Sequence, residues 1–136
     1  MNAVIDTSVA MAWYLEESFS RAAREWQDKL LAGTLHAMVP PLHYLEFANV
    51  LRNYVRRGEL DWALADDIYA LHLDAPLDPV EPPRSVILAI ARTYDATAYD
   101  AAFIALAEVY ECPFVTAERK TTPWLVKLAD RAIPIG

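Results

Sequence analysis

Asp6, Glu46, Asp100 and Glu118 are far apart in the chain, yet each sits close to the start or end of a regular element that the sequence predicts. Carboxylates gathered in a partly buried pocket repel one another and rise in pKa unless a cation neutralises them. All-oxygen donors of this kind favour hard divalent ions, Mg²⁺ or Mn²⁺. Such ions activate water and stabilise both oxygens of an in-line phosphoryl displacement. The reaction class to which these acids point is therefore phosphodiester hydrolysis.

The elements that must bring them together can be read along the chain. Ala3-Val4-Ile5 is a short apolar strand that ends on Asp6-Thr7-Ser8, residues that favour turns and N-caps, and the periodic stretch Val9 to Leu15 predicts a helix after it. Phe19 to Leu31 is a second amphipathic helix with Gly33 as a stop, and His36 to Val39 is a strand closed by Pro40-Pro41. A helix from about Leu42 to Arg57 ends at Gly58, and Asp61 caps another that runs toward Asp74, where Pro76 forbids continuation. Leu77 to Val80, which contains Pro79, is a short edge strand, and Pro82-Pro83 open a helix reaching Tyr94. Helix Thr97 to Glu111, strand Pro113 to Thr116, helix Pro123 to Arg131 and strand Ala132 to Ile135 complete the chain. Short strands alternating with helices predict an α/β fold, a parallel sheet of four or five strands flanked by helices, in a single domain over residues 1–136.

In such a sheet, residues that follow a strand lie at its carboxyl edge, where ligand sites in open α/β folds are found. Asp6 and Glu118 follow strands directly, and Glu46 lies in the first turns of the helix after His36 to Val39. Helix Thr97 to Glu111 joins the next strand through a short turn, so it must start at that strand's carboxyl end and carry Asp100 there. Phe103, Ile104 and Ala107 stand at i+3, i+4 and i+7 from Asp100, which places the acid on the buried stripe. Glu46 lies at the margin of the apolar face made by Phe47, Val50, Leu51 and Tyr54, with the amides of Asn49 and Asn53 alongside as candidate supporting donors.

Taken singly, each acid has a structural explanation. Asp6 can cap a helix, Asp100 can join Thr97 in a capping-box variant, Glu46 can pair with an arginine, and Glu118 can be surface charge beside Arg119-Lys120. Independent explanations do not account for all of them arriving at one edge. Arg56-Arg57 and Arg119-Lys120 are solvated charges available to phosphates, while His36, His43 and His72 have no zinc-ligand spacing and read as structural. Trp13, Trp26, Trp62 and Trp124 read as core or interface anchors.

Composition narrows the classes further. Of the 136 residues, 55% are hydrophobic and 23% charged, the balance of a globular protein. A net charge of -7 argues against gripping nucleic acid by bulk electrostatics, so such a substrate must be held locally. Cys112 is the single cysteine, which excludes an intrachain disulfide and fits a reducing compartment. No apolar run approaches the roughly 20 residues of a spanning helix, so a cytoplasmic protein without membrane association is expected. Glycines occur only at 33, 58 and 136, so no Gly-rich phosphate loop follows the first strand.

Val4-Ile5-Asp6-Thr7-Ser8-Val9-Ala10, Pro41 through Leu51, Thr97-Ala98-Tyr99-Asp100-Ala101-Ala102 and Val115-Thr116-Ala117-Glu118 together resemble PIN-domain proteins, most closely the VapC-type toxins. The resemblance runs essentially end to end. It implies a PIN fold and a Mg²⁺- or Mn²⁺-dependent endoribonuclease, with Asp6, Glu46 and Asp100 carried over by motif match and Thr7 and Thr116 as supporting hydroxyls. It further implies a toxin of a type II toxin-antitoxin pair, commonly a homodimer, neutralised by a small VapB-like antitoxin. The fourth acidic position, usually aspartate in the family, is Glu118 here, which weakens the claim for a second metal and keeps open a catalytically degenerate binding or scaffold module. A haloacid-dehalogenase-type phosphatase is disfavoured because Ser8 stands where its second aspartate belongs.

Overall fold

The computed structural model describes residues 1–136. Strand β1 (Asn2–Ile5) is the middle strand of a five-stranded parallel sheet in the order β3-β2-β1-β4-β5, with β2 at His36–Val39, β3 at Asp78–Pro79, β4 at Phe114–Thr116 and β5 at Ala132–Pro134. Register is set by Val4 opposite Met38 on one side and Phe114 on the other. Successive side chains of a strand point to opposite faces. Ala3, Ile5, Ala37, Val39 and Val115 accordingly enter one core cluster, and Val4, Met38 and Phe114 enter a second. Both faces are thus apolar and covered, as parallel sheets require.

Helices α1 (Thr7–Met11), α2 (Ser20–Leu31), α3 (Leu42–Arg56) and α4 (Trp62–Leu73) follow the first two strands, and α5 (Ile87–Tyr94), α6 (Ala98–Val109) and α7 (Pro123–Leu128) belong to the second half. Phe47 and Leu51 of α3 pack with Ala65 and Ile68 of α4 in the first cluster. Phe103, Ile104 and Leu106 of α6 and Trp124 of α7 fill the second. Asp61 caps α4 by accepting from Leu64 N–H, and Thr97 caps α6 by accepting from Asp100 N–H, so two caps read from the sequence are present. Gly33 and Gly58 end α2 and α3 at φ of 79° and 75°, a region that disfavours side chains bearing Cβ.

Several boundaries differ from expectation. The helix expected through Leu15 stops at Met11, because the next turns tighten to i→i+3 bonds such as Trp13 N–H to Ala10 O, and the Trp13 indole N–H is anchored on Ala23 O. The helix expected from Pro82-Pro83 starts only at Ile87, after a 3₁₀ turn over Arg84–Val86. The last helix likewise ends at Leu128 and continues as a 3₁₀ turn over Ala129–Arg131. The edge strand shrinks to Asp78–Pro79, since a proline cannot donate to a ladder. Of the tryptophans, Trp13, Trp26 and Trp124 are buried, whereas Trp62 is exposed on α4.

Candidate active site

From β1 the chain moves outward through β2 to β3, then returns to the other side of β1 as β4 and β5. The connections therefore diverge between β1 and β4, and at such a switch point a crevice opens beyond the strand carboxyl ends. Asp6 leaves β1 and Thr116 ends β4 on the two sides of this crevice. A cavity of about 320 Å³ occupies it and is lined by Asp6, Thr7, Ser8, Glu46, Asp100 and Glu118, with Met11, Glu17, Phe19, Val50 and Tyr54 at its walls. All of the expected acids thus meet in one cleft. A cavity of about 380 Å³ beside Cys112, Pro113 and Arg131 lies at the opposite, amino-terminal edge of β4 and gathers no comparable set of acids.

Asp6 occupies the N-cap position of α1 with extended backbone, but its side chain makes no cap hydrogen bond. Its backbone is pinned by a hydrogen bond from its own N–H to Val115 O, and its Oδ2 accepts from the buried Thr116 hydroxyl at 2.6 Å. The capping explanation for this residue is thereby replaced: the carboxylate is turned into the cleft. Burial pushes Asp6 up to about 7; the Thr116 hydrogen bond opposes this, and the charges of Asp100, Glu46 and Glu118 add to it. Thr116 also accepts from Glu118 N–H at 3.1 Å, so one hydroxyl ties the acid after β1 to the loop after β4.

Glu46 is half-buried on α3, and its Oε1 accepts from the Thr7 hydroxyl at 2.8 Å. Burial raises it, with Thr7 opposing and Asp100 adding. Asp100, in the first turn of α6, is raised by burial and by Glu118, with hydrogen bonds involving Thr97 and Trp124 opposing. Glu118 is exposed at the rim, where Thr122 Oγ1 donates to its Oε2 at 3.5 Å. Asn49 is exposed and does not line the cleft, so the expected amide donor is not brought to the site; it stands one residue before Val50, about 100° round the helix from it.

The acids share the cleft without forming a ready ion cage: nowhere do three or more His, Cys, Asp or Glu side chains stand together in ion-holding geometry. One carboxylate oxygen of Asp6 is held by the Thr116 hydroxyl and one of Glu46 by the Thr7 hydroxyl. The chemistry of the set still suits a hard cation, because every acidic donor is oxygen and the innermost acid is pushed to about 7 by burial and like charge.

Sequence reasoning missed the far wall. Tyr54 OH donates to Glu17 Oε1 at 2.8 Å, and the Arg57 guanidinium lies over the Tyr54 ring at 4.6 Å. Tyr54 is eight residues, just over two turns, beyond Glu46 on the same helix, a spacing that was open to notice. Ser8 accepts from Ala117 N–H at 3.2 Å and so braces the same two loops as Thr116. Thr116→Val is expected to lower stability by about 1–3 kcal/mol despite its matched shape, because a buried acid and a backbone N–H lose their partner; thermal melting checks this.

An open parallel sheet with acids at its switch point defines a class of small α/β proteins that bind ligands at the carboxyl edge. The PIN-domain family model matches residues 3–122, and the chain belongs to the PIN-domain family, whose members are generally nucleases that use divalent metals. The crystal structure of PAE2754 from Pyrobaculum aerophilum is similar in fold, with a TM-score of 0.73 at 24% identity, covering 99% of this chain and 92% of that one. No curated protein matches the chain. No helix is long and apolar enough to cross a membrane.

Proposed function

We propose that this chain is a metal-dependent endoribonuclease, the toxin of a VapBC-type pair, with Asp6, Glu46, Asp100 and Glu118 as its catalytic carboxylates. The observation that carries this reading is the meeting of all of these acids in one cleft at the β1/β4 switch point. Asp6 and Asp100, with Glu46 and Glu118, are the residues to hold Mg²⁺ or Mn²⁺. When bound, such an ion supplies Lewis acidity and a more acidic water. Thr116 and Thr7 orient Asp6 and Glu46, and a carboxylate oxygen left free at this edge takes the proton of water attacking an RNA phosphodiester. Arg119 and Lys120, exposed and without an ion-pair partner, follow Glu118 directly and are placed to hold a phosphate locally despite the acidic total.

The toxin assignment rests on the resemblance of the motif segments, and it brings a VapB-like antitoxin, a homodimer and a cytoplasmic location as part of the proposal. Helix α4 supports a partner chain, since it leaves Trp62, Leu64, Leu71 and Leu73 exposed. The absence of a ready ion cage and the exposure of Glu118 favour one second reading, a degenerate PIN-like binding module.

The test is cleavage of structured and unstructured RNAs by purified protein in EDTA, Mg²⁺ or Mn²⁺, run beside Asp100→Asn. The nuclease reading expects metal-dependent cutting that falls more than about 100-fold in the variant, beyond what losing a supporting residue costs. Undiminished cutting by Asp100→Asn removes that residue from the site. No cutting under any condition favours the binding module.

A further inference from the structure

Glu46 is the outer end of an unbroken hydrogen-bonded chain that runs into the core. Thr7 Oγ1 lies 2.8 Å from Glu46 Oε1 and 2.8 Å from His43 Nδ1. His43 Nε2 lies 2.8 Å from His72 Nε2, and His72 Nδ1 lies 2.9 Å from the Tyr14 hydroxyl. Both imidazoles are fully buried, and His72 is stacked on Phe47 with ring centroids 4.0 Å and planes 8° apart. Neither ring can turn to solvent, so each nitrogen must be satisfied within the chain.

Counting protons gives this chain one direction. Each contact needs one donor and one acceptor. Ionised Glu46 only accepts, so the single Thr7 proton points to it, and Thr7 must accept from His43 Nδ1–H. The bare Nε2 of a neutral His43 then accepts from His72 Nε2–H, and the bare Nδ1 of His72 accepts from Tyr14 O–H. With both rings neutral and Glu46 ionised, no other arrangement satisfies every contact. Burial favours the neutral rings, holding His43 down at about 3, with His72 adding to the effect, and His72 at about 4.

We propose that the His43–His72 pair is a positioning device for the cleft: its locked tautomers commit the Thr7 hydroxyl to Glu46 Oε1, pinning that carboxylate with its second oxygen free for a cation or substrate. The significance of the pinned acid rests on the nuclease reading above; the tautomers do not. Without the pair the Thr7 hydroxyl is free to rotate and Glu46 loses its fixed partner. Tyr14 and the Phe47 ring hold the inner end of the chain, so the orientation of a cleft residue is set from inside the core. Neither histidine touches substrate, and both act through Thr7.

The first measurement is made on the unmutated, ¹⁵N-labelled chain, with long-range ¹H–¹⁵N spectra of the histidines at neutral pH. Nδ1–H on His43 and Nε2–H on His72 are expected; the opposite tautomer or an imidazolium at either ring overturns the proposal whether or not the protein cuts RNA. The second is a Mg²⁺ titration followed through the Glu46 carboxyl ¹³C signal, together with RNA cleavage. His43→Leu is expected to lose about 10- to 100-fold in Mg²⁺ affinity or in kcat, with KM little changed. His43→Asn, whose amide can occupy the Nδ1 donor position, should recover most of that loss. In a Glu46→Gln background His43→Leu should add no further loss of kcat. Equal losses in the Leu and Asn variants, or a loss that adds undiminished to Glu46→Gln, reduce the pair to packing and sink the idea. If His43→Leu does not fold, His72→Gln, which keeps a donor toward His43, is compared with His72→Leu in the same way.

Discussion

Asp6→Asn is expected to abolish RNA cleavage and, in EDTA at pH 8, to melt at a higher temperature than the unmutated protein. The carboxyl is pushed up to about 7 in the folded chain, against about 3.9 for an unperturbed aspartate, chiefly through burial. Between those values the folded state holds a proton that the unfolded state has released, so stability falls as pH rises through the window and the cost is complete above about 7. A shift of this size corresponds to at most about 4 kcal/mol, and the open side of the cleft reduces it to roughly 2–3 kcal/mol. Asparagine cannot ionise, so the difference between the two melting temperatures should grow by about 5–10 °C from pH 4.5 to pH 8. His43 and His72 work in the other direction: their folded values are depressed, so they reduce stability as pH falls below the ordinary histidine range. Both proteins share that contribution, and the difference isolates Asp6. Adding Mg²⁺ should stabilise the unmutated protein more at pH 8 than at pH 5 and narrow the gap. A difference that is flat with pH would show that Asp6 is already ionised near its ordinary value without metal.

Phe47→Ala should cost about 3–5 kcal/mol, the range for emptying a buried aromatic site. Phe47 is fully buried in the first core cluster, stacks on His72 and meets the Tyr14 ring edge-on at 5.8 Å with planes at 90°. Its removal leaves a cavity beside the buried imidazole pair, so both packing and the hydrogen-bonded chain suffer. Against a typical total of 5–15 kcal/mol this approaches the whole stability of a small domain. Chemical denaturation checks it, with Phe47→Leu as the milder comparison. A loss under about 1 kcal/mol would mean that the core closes over the gap.

The carboxyl-edge placement of Asp6, Glu46, Asp100 and Glu118 was legible because it follows from chain direction alone: an acid after a parallel strand, or at the start of a helix returning to one, has nowhere else to go. The two-sided core was legible for a similar reason, since Ala3, Val4 and Ile5 are apolar without alternation and must be covered on both faces. Helix ends were less so. Where α1 stops depends on the Trp13 indole finding Ala23 O, a contact across ten residues that no local propensity encodes.

His43 and His72 mark the limit most clearly. Their spacing matches no ligand motif, and a structural role was all the chain could indicate. The tertiary structure brings them within 2.8 Å and joins them to Thr7 and Glu46, because α3 packs against both α4 and α1. The sequence by itself determined the fold class, the carboxyl edge of a parallel sheet as the place for chemistry, and the acids delivered there, since these depend on periodicity and on the direction of short connections. Only the tertiary structure decided which hydroxyl holds which acid, that Asn49 stays outside, and how far Asp6 is driven up in pKa, because hydrogen bonds and burial between distant segments depend on packing that local sequence does not specify.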